Sequence, residues 1–139
     1  MEHRIEAITL PVSDVDRARD FYVQAGWNLD LDSEVAPGIR VVQLTPVGSH
    51  CSITFGTGTP QSEPGSYVNT YLVVSDIEAA HKDLTDRGIA VSDIFHWSEQ
   101  GQTPGPDPNR GDYGSYATMA DPDGNIWLLQ EVPSRATAR

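Results

Sequence analysis

Cysteine is almost missing from this chain. Cys51 is the only one in 139 residues, so no internal disulfide can form and the fold must rest on its apolar core. Lying between His50 and Ser52, it is expected to be a plain buried thiol. Basic side chains are also scarce, nine against twenty acidic ones, which gives a formal charge of −11. The acidic residues are spread along the chain and would repel a phosphate backbone, so nucleic acid is not an expected partner. No apolar run approaches the ~20 residues needed to cross a bilayer, so no membrane partner is expected either. The N-terminus, Met1-Glu2-His3-Arg4, leads straight into a strand-like segment without the apolar stretch of a secretion signal, and a cytoplasmic location is expected.

What the chain does contain is a repeat. Leu10-Pro11-Val12-Ser13-Asp14-Val15-Asp16-Arg17-Ala18 matches Leu72-Val73-Val74-Ser75-Asp76-Ile77-Glu78-Ala79-Ala80 at a constant offset of 62 positions, and the same offset carries Gly26 onto Gly88. Each copy opens with a β-branched, apolar segment, Ile5 to Val12 or Val68 to Val74, that suits a strand. A helix is expected to follow at Ser-Asp, with Ser13 and Asp16, or Ser75 and Glu78, at capping-box spacing and Gly26 or Gly88 at a left-handed end. Val15, Ala18, Phe21 and Tyr22 recur at helical spacing, as do Ile77, Ala80 and Leu84, which makes the aromatic pair core. Further strands are expected over Trp27 to Leu31, Ile39 to Leu44, Ser52 to Phe55, Val91 to Trp97, Tyr116 to Met119 and Asn125 to Glu131.

The turns between them are Ala36-Pro37-Gly38, Pro46-Val47-Gly48 and Asp121-Pro122-Asp123-Gly124. The resulting pattern is α+β: two βαβββ modules in one domain over 1–139, with module one at 4–57, a linker at 58–65, module two at 66–132 and a tail at 133–139. The stretch Ser98 to Gly114 is rich in Gly and Pro and reads as irregular, either a pocket cover or a mobile excursion.

The repeat, the Val-Ser-Asp entry to the first helix and its counterpart, the Phe21-Tyr22 pair and the Asp121-Pro122-Asp123-Gly124-Asn125 turn together resemble the vicinal oxygen chelate superfamily, which includes glyoxalases, bleomycin resistance proteins and dioxygenases. The resemblance covers nearly the whole chain. It implies eight strands in two curled mixed sheets around a pocket, and a homodimer. It also implies one divalent metal in the family's enzymes, at positions that fall here on Ala7, Ser52, Asn69 and Leu128. A count shifted by two would replace Ser52 by His50. Ala and Leu offer no donor, Ser and Asn only neutral oxygens, so no metal and no cofactor are expected. The chain is then placed on the metal-free branch, as a binder of a small, hydrophobic or aromatic compound. The alternative is a metal-independent lyase or isomerase, and a less favoured one is a metal-dependent enzyme with ligands drawn from His3, His50, His96 and Glu131.

Strand alternation extends the expected pocket lining from those four positions to Thr9, Thr54, Tyr71, Ile126 and Gln130. His96 and Trp97 at the start of the long loop, with Tyr113 and Tyr116 at its end, could clamp a planar ligand. The catalytic residues are unknown; His96 is the one histidine nominated as acid or base, while Asp107, Arg110 and Asp112 are expected to be solvated loop charges. Trp127, alternating with Leu128, is expected to face the helices.

Overall fold

Two helices form where the repeat puts them, α1 at Val15–Gln24 and α2 at Ile77–Asp86. In the computed structural model, which describes residues 1–137, the N-cap is the aspartate of each Ser-Asp pair and not the serine. The Asp14 carboxylate accepts the Arg17 N–H, and Asp76 accepts those of Glu78 and Ala79. A carboxylate is the better partner for the partial positive charge of a helix start, and Ser13 Oγ donates instead to Asp123 at 2.5 Å. Both helices end as expected, with Gly26 and Gly88 at φ of 95° and 81°, a conformation that costs glycine nothing.

The described residues form nine strands: β1 Ala7–Thr9, β2 Asn28–Ala36, β3 Ile39–Thr45, β4 Ser52–Thr57, β5 Thr70–Val74, β6 Phe95–Ser98, β7 Gly101–Pro104, β8 Ser115–Ala120 and β9 Ile126–Glu131. They form two mixed sheets, in the orders β1-β4-β3-β2 and β5-β9-β8-β6-β7, and neither closes into a barrel. In each sheet the strand before the helix pairs in parallel with the last strand of its set, β1 with β4 and β5 with β9. The α+β class read from the sequence is therefore the class observed. The contacts divide the chain into two units, Met1–Tyr67 with Asp121–Asn125, and Val68–Ala120 with the residues from Ile126 on.

In the first unit α1 packs on β3 and β4, where Val15, Ala18 and Tyr22 meet a layer that includes Val42, Leu44, Ile53 and Phe55, all under 9% exposed. Tyr22 is fully buried, whereas its neighbour Phe21 is only half-buried, so the expected core pair is one core ring and one at the margin. The turn Asp121–Asn125 belongs to this unit through one buried carboxylate. Asp121 accepts from Tyr22 Oη at 2.8 Å, from Asn125 Nδ2 at 2.9 Å and from the backbone N–H groups of Asp123 and Asn125, both at 2.9 Å. Asn125 in turn donates to the Pro11 carbonyl and accepts from Tyr67 N–H.

In the second unit α2 packs on β8 and β9, with Ile77 and Leu84 buried alongside Ala117, Met119, Trp127 and Leu129. Trp127 lies on the helix-covered face, as the alternation indicated. Glu131, 1% exposed, follows on that face and accepts the Ile77 N–H at the start of α2 at 2.8 Å.

Several local expectations are corrected. Eight strands become nine because the stretch read as irregular, 98–114, contains β7, a hairpin partner of β6. The rest of that stretch is pinned rather than loose: Asp107 accepts the N–H groups of Asn109 and Gly111, Asp112 accepts that of Ser134, and Tyr113 N–H reaches the Glu131 carbonyl at 2.8 Å. Arg110 is no solvated loop charge, since its guanidinium holds Glu131 at 2.6 and 3.0 Å and also contacts Glu78 and Asp76. Cys51 is half-buried rather than buried, its Sγ 3.6 Å from the Ser52 carbonyl. The tail forms a short 3-10 turn at Pro133–Thr137, and Ala138 and Arg139 lie outside the described residues. No helix among the described residues is long and apolar enough to cross a membrane.

Candidate functional site

Alternation gives each sheet a face covered by its helix and a face left open. On the open face of the first sheet, Ala7 pairs with Ser52 and Thr9 with Thr54, so Ser52 and not His50 stands opposite Ala7. Gln43 and Thr45 of β3 share this face. Hydrogen bonds string the polar groups together: Thr45 Oγ1 lies 2.6 Å from Ser52 Oγ and donates to Asp30, Gln43 Nε2 lies 3.4 Å from Ser52 Oγ, and the Thr9 and Thr54 hydroxyls are 3.4 Å apart. Ser52 is 5% exposed, while Gln43, Thr45 and Thr54 are half-buried.

The open face of the second sheet is aromatic. Tyr71 pairs with Leu128, Tyr116 with Gln130 and Phe95 with Tyr116. The Phe95 and Tyr116 rings stack, with centroids 5.7 Å apart and planes 23° from parallel, and Trp97 stands edge-on to Phe95 at 6.1 Å. Trp97 is 62% exposed and Tyr71 50%, an unusual placement for rings of that size. Tyr116 Oη donates to the Tyr113 carbonyl at 2.7 Å and has Gln130 Nε2 at 3.5 Å. A cavity of about 340 Å³ lies beside Phe95, walled also by Thr118, Gln102 and Pro104 and, at its edge, by one charged residue, Asp93. Along β5, β6, β8 and β9 this face carries no charged side chain, so covering it with an apolar molecule strands no ion.

The residues nominated from sequence thus fall into two sets. Ala7, Thr9, Ser52 and Thr54 share the open face of the first sheet, and Tyr71, Trp97, Tyr116, Leu128 and Gln130 that of the second. Asn69 is exposed and lies just ahead of β5. His96 is on neither open face. Next to Trp97 in an extended strand, it points the opposite way, pairs with Ser115, is 9% exposed and sets Nδ1 2.7 Å from the Gly105 carbonyl. A clamp made jointly by His96, Trp97 and Tyr116 does not form, and Phe95 takes the histidine's place. Neither the metal positions nor the ends of the long loop point to Phe95, Gln43 and Thr45. The Phe95/Trp97 spacing of two was the available signal.

A second cleft, of about 430 Å³, lies at the far end of the β2–β3 hairpin and is lined by Asp32, Glu34, Arg40 and Thr57. Its charges are satisfied internally. Asp32 is gripped by Arg40 at 2.9 and 3.0 Å and by Arg19 at 2.9 Å, and these guanidinium groups hold its carboxyl at about 2. Because the folded value lies below the ordinary one, this contribution to stability is present above about pH 3.9 and is lost as pH falls through about 2. Asp32→Asn is expected to make the drop in melting temperature between about pH 4 and pH 2 shallower than in the parent, which thermal unfolding at a series of pH values checks.

With this geometry in place, comparison with known proteins is decisive on one point. The sequence model of the Glyoxalase/Bleomycin resistance protein/Dioxygenase superfamily matches residues 4–129. The chain belongs to that superfamily. Solved structures agree: the antibiotic binding protein TnmS3 from Streptomyces sp. CB03234 is 29% identical over 94% of this chain and 97% of its own, with a TM-score of 0.71. A glyoxalase/bleomycin resistance protein from the same Streptomyces is 29% identical over 92% and 100%, with a TM-score of 0.69. A superfamily member from Sphaerobacter thermophilus DSM 20745 is 28% identical over 94% and 98%, with a TM-score of 0.70. A comparison with curated proteins finds no match.

The superfamily's enzymes commonly hold a divalent metal, and the residues present do not fit one. Ala7 and Leu128 have no donor atom, Ser52 Oγ is already engaged by Thr45, and Asn69 offers a neutral amide. Among the described residues no three His, Cys, Asp or Glu side chains are grouped as a metal would require. Glu131, a candidate for a rearranged site, has its carboxylate committed to Arg110 and to the Ile77 N–H.

Proposed function

We propose that this member of the superfamily is a small-molecule binding protein that holds a planar, largely apolar organic compound without a metal. The observation that carries the reading is the stacked Phe95–Tyr116 pair, on an uncharged sheet face beside a cavity of about 340 Å³. Stacking on an aromatic pair favours flat rings, and the hydroxyl and amide groups of Tyr116, Thr118 and Gln130 supply the few polar contacts that orient a ligand. The reading is supported by TnmS3, which is an antibiotic binding protein. It is further supported by the lack of any carboxylate, imidazole or thiolate at the expected metal positions and by His96, the nominated acid or base, lying on the other face of its strand.

A titration with the neutral fluorophore N-phenyl-1-naphthylamine tests it. The parent protein is expected to bind the dye, and Phe95→Ala to weaken that binding about tenfold, the loss of one good ring stack and its buried area. The dye and any later natural ligand are expected to be recovered chemically unchanged. Equal binding by parent and variant would remove the aromatic face as the site, and conversion of the ligand would make the protein an enzyme.

A further inference from the structure

One charged group on the cavity beside Phe95 is left without a partner. Asp93 stands at its edge, exposed and two positions ahead of Phe95, and among the described residues its carboxylate has no hydrogen bond or ion pair. Three cations of the same unit, Lys82, Arg87 and Arg110, are held elsewhere by Asp86, Asp83 and Glu131. The cavity wall carries no Lys, Arg or His, and much of its hydrogen-bonding capacity is turned towards accepting. Ser92 Oγ spends its hydrogen on the Asp93 carbonyl and Thr103 Oγ1 on the Gly101 carbonyl, both at 3.0 Å. On the ring stacked against Phe95, Tyr116 Oη spends its own on the Tyr113 carbonyl, and Pro104 has no N–H to give. Gln102 and Thr118 supply donors, but neutral ones. An anion would meet Asp93 with no cation to offset it, whereas a cation meets a carboxylate and the faces of aromatic rings.

We infer that the planar ligand carries a positively charged nitrogen, an amine or amidine on an aromatic frame, and that Asp93 selects it. The inference rests on the small-molecule binding reading and adds a charge to the ligand. The flat part of the ligand covers the Phe95–Tyr116 stack and its cation lies at the Asp93 end. Trp97, 62% exposed and edge-on to Phe95, stands two positions beyond Phe95 and marks the uncharged end. Because Asp93 is exposed, the protein alone buries no unpaired charge there, and the ion pair adds what a good surface pair does, about fivefold in affinity. The rings hold the ligand, and Asp93 determines which ligands of that shape are preferred.

The experiment titrates the full chain by calorimetry with 2-naphthylmethylamine, a cation at neutral pH, and with 2-naphthylmethanol, its neutral counterpart of the same shape. The parent is expected to bind the amine about fivefold more tightly. Asp93→Asn, which keeps the shape of the side chain, is expected to bring the two probes to within about twofold while the alcohol binds as before. Asp93→Glu is expected to restore part of the preference. Glu99→Gln removes an exposed carboxylate that does not line the cavity, and it is expected to keep the preference. A loss in Glu99→Gln as large as in Asp93→Asn would assign the effect to the overall negative charge and overturn the inference. An unchanged ratio in Asp93→Asn also overturns it, including one in which both probes weaken together. Equal binding of both probes by the parent, each weakened by Phe95→Ala, overturns it while leaving the binding reading standing. Failure of both probes to bind removes both.

Discussion

Asp121→Ala is expected to cost the protein about 3–5 kcal/mol and to lower its melting temperature by about 10 °C or more. Asp121 is 5% exposed and is the common acceptor for Tyr22 Oη, Asn125 Nδ2 and two backbone N–H groups. Alanine leaves all four donors without that acceptor, and a buried polar group stripped of its partner costs about 1–3 kcal/mol. The damage extends past the turn itself, because the Asn125 amide that Asp121 orients also holds the Pro11 carbonyl and the Tyr67 N–H. Tyr22→Phe, which removes one of the four donors and keeps the ring, is expected to cost only about 1 kcal/mol. Denaturant unfolding of the two variants beside the parent checks the ordering; equal and small losses would show that water replaces the carboxylate and that the turn is dispensable.

Arg110→Met is expected to cost about 3 kcal/mol at neutral pH, and less in acid. Glu131 is 1% exposed, and among the described residues Arg110 is its one charged hydrogen-bond partner, at 2.6 and 3.0 Å. This guanidinium, opposed by burial, holds the Glu131 carboxyl below its ordinary value, with help from the Ile77 N–H. A depressed carboxyl contributes its stability above the unfolded value, about 4.3, and loses it as pH falls through the folded one. With the arginine gone, burial dominates and pushes the carboxyl up, so the variant accepts a proton and ceases to bury an unpaired charge. The gap in melting temperature between parent and variant should be widest near pH 7 and narrow below about pH 4. A gap independent of pH would mean that the arginine acts through packing alone. Arg110 also sits at φ of 49°, so Arg110→Gly, which relieves the left-handed strain, should be about 1 kcal/mol milder than Arg110→Ala.

Both sites show how far the amino-acid text could be read. The repeat at an offset of 62 was visible because two βαβββ modules need the same local signals, an apolar strand, a helix start and a glycine stop. Those signals act over a few residues, so the helices, the turns and the placing of Trp127 among helix-facing residues could be read from spacing. The identity of the cap could not. Ser13 and Asp14 both carry capping side chains, and Asp14 takes the role because its carboxylate suits the helix start better and Ser13 is drawn to Asp123, more than a hundred positions away. Asp107, Arg110 and Asp112 looked like solvated loop charges for the same reason. Arg110 and Asp112 have their partners on other elements, and nothing near them in the chain announces Glu131 or Ser134, whereas Asp107 bonds within its own loop, to the N–H groups of Asn109 and Gly111.

By itself the sequence determined the α+β class, the duplicated module and the superfamily, because these rest on local periodicity and on the order of short motifs. From the resemblance it also gave the expectation that the superfamily's metal positions fall on Ala7, Ser52, Asn69 and Leu128. Only the tertiary structure decided which strands lie side by side, and so which side chains meet across a face. One step along a strand reverses the side chain, which sent His96 away from Trp97 and brought Phe95 against Tyr116. It alone decided the pairing of Gln43, Thr45 and Ser52 with Asp30, because register between strands is fixed by the packing of the whole sheet and is written in no single segment of the chain.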